Sequence, residues 1–285
     1  MRRSFFSGGD VSGRLKVALV VVAPVLGGGL LGVLFPKDDT ILTFLAVGQG
    51  DCIAFSHQGA TIVIDAGPES SARRIGRLLR AEGLTQVDLI LVSHPDSDHI
   101  GGLDALLTYS PRAQIAALSH FRGNAELKAE LAQARKSEED VWWIDGSAKL
   151  RVGEFRLQIE APPLEKGDGE NPGSMFVWIR GERTAALFTG DAPDQTEYQM
   201  LGRERWETDV LKAGHHGSRT STSMAWLRET TPKYVVFSCG PENPYGHPTP
   251  EALERVRSIG AQVLRTDRGA SIRFVLRGGR FVPAR

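Results

Sequence analysis

Cysteine is nearly missing from this chain: only Cys52 and Cys239 occur, each in an apolar stretch that reads as a strand. Two thiols cannot build a disulfide framework, and no Cys/His cluster has the spacing of a zinc finger. Both are read as buried free thiols. Net charge is missing too. Lys plus Arg and Asp plus Glu stand at 34 each, so the overall balance does not draw the chain to nucleic acid. A nucleic-acid substrate would need a local basic patch. Internal repeats and low-complexity tracts are absent, which excludes solenoids and arrays. What is left, 41% hydrophobic and 24% charged over 285 residues, is ordinary for a globular chain long enough to bury a core.

Residues 1–36 differ from the rest. Arg2, Arg3, Arg14 and Lys16 precede an uncharged run at residues 17–35. As a helix this run would span about 28 Å at ~1.5 Å per residue, close to the hydrocarbon thickness of a bilayer. Positive charge on its amino side predicts a cytoplasmic N-terminus with the remaining chain outside. Pro24 and the glycines at 27–29 weaken a helix in water but are tolerated in a membrane. An Ala-x-Ala cleavage site is lacking, which favours an uncleaved signal-anchor; cleavage would instead give a secreted domain. Arg2-Arg3-Ser4-Phe5-Phe6 faintly resembles a twin-arginine export signal, but the long polar spacer behind it argues against that reading. A polar linker then leads into a folded domain at residues 38–285.

Within that domain the richest stretch is Ser93-His94-Pro95-Asp96-Ser97-Asp98-His99-Ile100-Gly101-Gly102. An apolar run at residues 87–92, broken only by Asp88, reads as a buried strand before it, and a helical pattern from Leu103 follows. Four potential metal ligands, His94, Asp96, Asp98 and His99, thus sit on a loop at the carboxyl end of a buried strand, where open α/β sheets place their chemistry. A second strand, at residues 184–188, ends in Thr189-Gly190-Asp191, which is well placed to bridge two metals. A third, residues 209–212, runs into Ala213-Gly214-His215-His216-Gly217-Ser218. Spacing leaves open which of the paired histidines binds metal. The reading preferred here gives the metal to His215 and turns His216 or Ser218 toward substrate. His120 is read as structural. Strands at 41–47, 52–55 and 61–64, a surface helix at 69–82 and a helix at 221–229 fill in the strand–helix alternation.

His-x-Asp-x-Asp-His followed by Gly-Gly resembles the metal loop of the metallo-β-lactamase superfamily. Asp96 at its third position is similar to the ComEC branch, the DNA-uptake proteins of bacteria. Gly48-Gln49-Gly50-Asp51, Asn171 with Ser174, Gly-His-His-Gly-Ser and Asn243-Pro244-Tyr245-Gly246-His247-Pro248 resemble that branch as well. Ala46 stands where the branch usually has Asp, and Asn171 and Ser174 stand near where many members have a fifth histidine ligand.

The resemblance implies a four-layer αβ/βα sandwich, an α/β (α+β) fold behind an N-terminal hydrophobic membrane segment. It implies one or two divalent ions, zinc or manganese, with three carboxylates keeping the harder metal in play. His94, Asp96, Asp98, His99, Asp191 and His215 are the expected metal ligands. Asp98, His216 and His247 are the expected catalytic residues, with His247 at a ligand or general-acid position. Asn171, Ser174 and Ser218 are expected to donate hydrogen bonds to a phosphate, and Asp51 to orient the loop ligands or serve as a turn carboxylate. The implied activity is a metal-dependent phosphodiesterase or nuclease acting on DNA outside the cytoplasm, with a separate DNA-uptake permease as partner. Hydrolysis of another ester or amide bond is the alternative within enzymes. A membrane-tethered binding module with a weakened metal site, suggested by Ala46 and the absent fifth histidine, is the alternative outside them.

Overall fold

The computed structural model describes residues 40–164 and 169–284. In chain order the first strands are β1 (Ile41–Phe44), β2 (Ile53–His57), β3 (Ala60–Ile64), β4 (Leu89–Val92), β5 (Gln114–Leu118) and β6 (Val141–Ile144). Then come β7 (Ser147–Val152), β8 (Phe155–Glu160), β9 (Phe176–Arg180), β10 (Ala185–Phe188), β11 (Val210–Lys212), β12 (Tyr234–Phe237) and β13 (Gln262–Arg265). The hairpin β14 (Ile272–Arg277) and β15 (Arg280–Pro283) closes the chain. The helices are α1 (Ala72–Ala81), α2 (Ser97–Ile100), α3 (Leu103–Tyr109), α4 (Ala125–Gln133), α5 (Asp194–Met200), α6 (Met224–Thr230) and α7 (Pro250–Ser258).

Two sheets result, ordered β15-β14-β1-β2-β3-β4-β5-β6 and β13-β12-β11-β10-β9-β8-β7. Each is antiparallel in one half and parallel in the other: β3 through β6 run parallel in the first, β10 through β13 in the second. Side-chain alternation builds the layers. In β3 and β4, Ile62, Ile64, Leu89 and Leu91 enter the core between the sheets, where Val177, Ile179 and Phe188 of the second sheet meet them. The alternate residues Val63, Ile90 and Val92 face outward onto Ile75 and Leu79 of α1, Leu103 and Leu106 of α3 and Leu127 of α4. Phe176, Leu187 and Leu211 do the same toward Met200 of α5, Trp226 of α6 and Val256 of α7. Helices, sheet, sheet and helices therefore stack in four layers, as the resemblance implied. Both cysteines are buried and unpaired.

The apolar run at residues 17–35 lies outside the described residues. Among the described residues no helix is long and apolar enough to cross a membrane.

The helix expected at 221–229 begins three residues late, at Met224, for a local reason. Ser223 caps it, accepting from the Trp226 amide at 3.2 Å. The Thr222 and Ser223 amides donate to the two carboxylate oxygens of Glu197 on α5, at 2.6 and 2.8 Å. Thr222 and Ser223 are therefore tied to α5 instead of winding into α6. Glu197 is fully buried, and burial pushes its carboxyl up to about 7 against the pull of those amides. The folded chain thus keeps a proton that the unfolded chain releases near pH 4.5. Stability should therefore fall as pH rises through that window, by up to about 3 kcal/mol. Urea unfolding of the wild type and of Glu197→Gln between pH 4.5 and 8 should show a stability difference that changes with pH; a constant difference would remove Glu197 as the source.

Candidate metal centre

The site gathers at the carboxyl ends of the parallel strands of both sheets. On the first sheet, Asp65 follows β3 with a left-handed backbone, φ 61°. Its carboxylate accepts the Ser93 amide at 2.7 Å, the Ser93 hydroxyl at 2.6 Å and His99 Nδ1 at 2.8 Å. The bond at Nδ1 fixes the ring so that His99 Nε2 faces the cluster. His94 is set similarly, with Nδ1 3.0 Å from Ser93 Oγ. Its Nε2 is buried without a hydrogen-bond partner. The loop beyond β4 is not irregular throughout: Asp96 precedes the short helix α2, which carries Asp98 and His99.

The second sheet supplies the opposite wall. Alternation along β11 puts Val210 between the sheets and Leu211 outside, so Lys212 again points between them. Its ammonium is fully buried and donates to Gly190 O at 2.7 Å, lies 2.5 Å from Asp51 Oδ2 and 3.2 Å from Asp191 Oδ1. The backbone then turns sharply. His215 and His216 both take positive φ, 47° and 54°, and Gly217 follows at 90°. His216 Nδ1 bonds Ser238 O at 2.8 Å, which turns Nε2 inward.

At the centre, His216 Nε2 stands 3.1 Å from Asp98 Oδ2 and 3.2 Å from Asp191 Oδ2. His99 Nε2 stands 3.3 Å from Asp191 Oδ1 and 3.3 Å from His216 Nε2. Donor atoms of Asp51, His99, Asp191 and His216 all lie within 4.8 Å of one another, and all four residues are buried. Burial opposes charge on His99, but Asp191 and Asp65 outweigh it and hold its pKa well above the usual range. His216 rises to about 9 in the same way, burial being overcome by Asp191 and Asp51. Against burial, His216, His99 and Lys212 hold the Asp191 carboxyl well below its usual range, and His216 with His99 brings Asp98 to about 2.

The geometry exchanges the positions that the sequence reading gave the paired histidines. His216 is buried in the cluster, whereas His215 is about one-third exposed, with Nε2 3.7 Å from Asp191 Oδ2. His247 packs edge-on to the His215 ring at 5.7 Å; burial and the neighbouring imidazoles lower its pKa to about 4. Asp96 lies at the rim, 3.6 Å from His94 Nε2. Its carboxylate beside Glu170, together with burial, pushes Glu170 up to about 7. Asn171 Oδ1 is buried and unpartnered. Ser174 does not face an opening: it is fully buried and accepts the Asp191 amide at 3.1 Å, so it fixes that carboxylate's backbone. Ser218 is also buried, with its hydroxyl 3.0 Å from that of Thr220. Asp51 lies 3.8 Å from His99 Nδ1, beyond hydrogen-bond reach, and the orienting bond to His99 comes from Asp65. His120 Nε2 lies 3.0 Å from Gly173 O, bracing the turn that bears Asn171.

Sequence reading passed over Lys212, Asp65 and Glu170. For Lys212 the signal was a charge ending an otherwise apolar strand just before Gly-His-His; for Asp65, an acid closing a buried strand before Ala66-Gly67.

A family model described as the metallo-beta-lactamase superfamily matches residues 45–240, well over half of the chain. The chain belongs to this superfamily. Within it, Competence protein ComA of Neisseria gonorrhoeae is 31% identical over 248 residues, 86% of this chain and 33% of that protein. ComE operon protein 3 of Bacillus subtilis (strain 168) is 26% identical over 247 residues, 80% of this chain and 32% of that protein. The chain therefore spans about a third of the length of these curated relatives. Among solved structures, the metallo-beta-lactamase fold protein YhfI of Bacillus subtilis aligns with a TM-score of 0.54 at 13% identity, over 83% of this chain and 100% of that one. That likeness speaks for the fold.

The residues present fit the divalent metal that the superfamily implies. His94 Nε2 is an orphaned buried nitrogen, and the inward nitrogens of His99 and His216 face carboxylate oxygens at ligand-like separations. Lys212 is the counter-charge that lets the Asp51 and Asp191 carboxylates stay buried. Lys212→Met should destabilise the metal-stripped protein by about 3–5 kcal/mol, the scale of breaking a buried ion pair from one side. Adding Asp51→Asn should recover part of the loss. Urea unfolding in EDTA measures both, and a single variant as stable as the wild type would remove this role.

Proposed function

We propose that the chain is a metal-dependent phosphodiesterase that cleaves DNA outside the cytoplasm and serves DNA uptake beside a separate permease. The observation that carries this reading is the buried cluster of Asp51, His99, Asp191 and His216, with the partly exposed Asp98 at its edge, in a chain similar to Competence protein ComA. In this reading Asp98, His99, Asp191 and His216 hold one divalent ion, and His94, Asp96 and Asp191 a second, zinc or manganese. A bound ion there supplies Lewis acidity and an activated water.

The chain's own residues do the remaining work. Asp65 keeps a proton on His99 Nδ1, and Ser238 O keeps one on His216 Nδ1, so Nε2 is the nitrogen that each would turn to a metal once its own proton is displaced. Lys212 and Ser174 fix Asp191 from its side chain and its backbone. His247 is neutral at physiological pH and serves at the rim as a hydrogen-bonding group with an unpartnered Nδ1. In this reading Nδ2 of Asn171 donates to a phosphate oxygen, and its loss should lower phosphodiester turnover by about 10²-fold.

The purified chain, supplied with Mn or Zn, is expected to cleave single-stranded DNA and bis-p-nitrophenyl phosphate far faster than the β-lactam nitrocefin. Asn171→Ala should slow the phosphodiesters while elemental analysis finds its metal unchanged, and Asp191→Ala should lower the metal content itself. Nitrocefin turnover without phosphodiester turnover would sink the reading in favour of another ester or amide bond. A metal-loaded chain inert to all three substrates would favour the binding module.

The proposed location follows from residues 17–35, whose apolar run is long enough to anchor the chain. The full-length protein should stay with membranes through alkaline carbonate extraction, and protease added to spheroplasts should reach the domain. Full-length protein recovered in the soluble cytoplasmic fraction would rule out both anchoring and export.

A further inference from the structure

Large apolar side chains on the described surface are few, and Tyr245 is the most exposed of them at 66%. It is not on a loose loop. Asn243 pins the turn three times: Nδ2 donates to Gly240 O at 2.9 Å and to His247 O at 2.6 Å, while Oδ1 accepts the His247 amide at 2.9 Å. One face of the Tyr245 ring lies on the His247 ring, with centroids 5.7 Å apart and planes 25° from parallel. His247 in turn meets the His215 ring at 5.7 Å, and His215 Nε2 is 3.7 Å from Asp191. A short file of rings thus leads from the metal cluster to solvent and ends in a rigid aromatic surface.

An aromatic ring held rigidly with one face in water offers a flat group a surface to stack on. A flat, partly apolar group stacked on Tyr245 would sit two ring contacts from the cluster. On a phosphodiester substrate the group with that shape is a nucleobase next to the scissile phosphate. We propose that Tyr245 is a base-stacking platform that makes the site prefer single-stranded nucleic acid over small phosphodiesters. Stacking on one aromatic face tolerates any base, and a paired duplex does not offer an unstacked one. This inference rests on the phosphodiesterase reading for its placement, but its test does not depend on turnover.

The test measures binding of a fluorescein-labelled single-stranded oligothymidylate to the full chain in detergent micelles with EDTA, so that no cleavage occurs. Tyr245→Ala should weaken binding on the order of 10- to 100-fold, the scale of one lost base stack. Tyr245→Phe should bind like the wild type, and an abasic site in the oligonucleotide should cost the wild type more than it costs Tyr245→Ala. Thermal unfolding should be the same for all three proteins, because the ring is exposed. Equal affinity of Tyr245→Ala and wild type, or no binding by the wild type, would overturn the platform. Binding with the expected Tyr245 dependence but no cleavage after metal is restored would leave the platform standing and overturn the phosphodiesterase reading. Cleavage of DNA unaffected by Tyr245→Ala would do the reverse.

Discussion

The ammonium of Lys212 lies between Asp51 and Asp191 in a place that water does not reach, and the arrangement of the whole centre follows from it. Two carboxylates cannot be taken out of water side by side unless a cation accompanies them. A lysine supplies that cation from the protein itself, before any metal arrives. It also fixes geometry, because its remaining hydrogen bond goes to Gly190 O, the carbonyl just before Asp191. Asp191 is thereby held from both sides, with Oδ2 left to face His216. The imidazoles complete the balance against burial: Asp191 and Asp65 raise the pKa of His99, and Asp191 and Asp51 raise that of His216.

This arrangement requires both sheets at once. The first sheet brings Asp65, His94 and the α2 residues; the second brings Asp191, Lys212 and His216. The contact that joins the walls is a matter of close backbone approach. The Asp51 amide donates to Asp98 O at 3.3 Å, and a Cβ on Gly50 would stand only 2.1 Å from that same oxygen. Gly50 also has φ 131°, which side chains avoid. Ser238 donates to Gly50 O at 2.9 Å while its own carbonyl receives His216. A single turn thus ties the metal loop of one sheet to the histidine pair of the other. Metal binding at such a site is coupled to the packing of the sheets rather than to one loop.

The parts of the site that could be read from sequence are those whose members are neighbours along the chain. His94, Asp96, Asp98 and His99 are crowded into one loop, and the strand before it is apolar without ambiguity, so fold and metal loop were both legible. Lys212 and Asp65 were not, because each is a single charged residue at a strand end whose partners come from distant segments. The histidine pair failed differently. Strand and helix periodicities say where a side chain points only while φ is negative, and His215 and His216 both leave that region. Consecutive left-handed residues send their side chains in directions that neither period gives, so the buried member could not be chosen. The late start of α6 has the same origin as Lys212: a remote acid, Glu197, claims backbone amides that propensity assigned to a helix.

Exposure then divides the labour among the histidines. His99 and His216 are buried, each with one nitrogen committed to an oxygen acceptor and the other facing carboxylates, so their orientation is set before any ligand arrives. His215 and His247 are only partly buried and have no buried carboxylate partner as close; burial with the neighbouring imidazoles lowers the pKa of both. The same contrast separates the two halves of the centre. Asp98 and Asp191 are already matched by imidazoles within 3.3 Å, whereas His94 Nε2 lacks any hydrogen-bond partner and Asp96 beside it is about one-third exposed. A divalent ion held by Asp98, His99, Asp191 and His216 would meet donor atoms whose directions the protein has already set. One held by His94 and Asp96 would depend on a rim carboxylate that is far less enclosed.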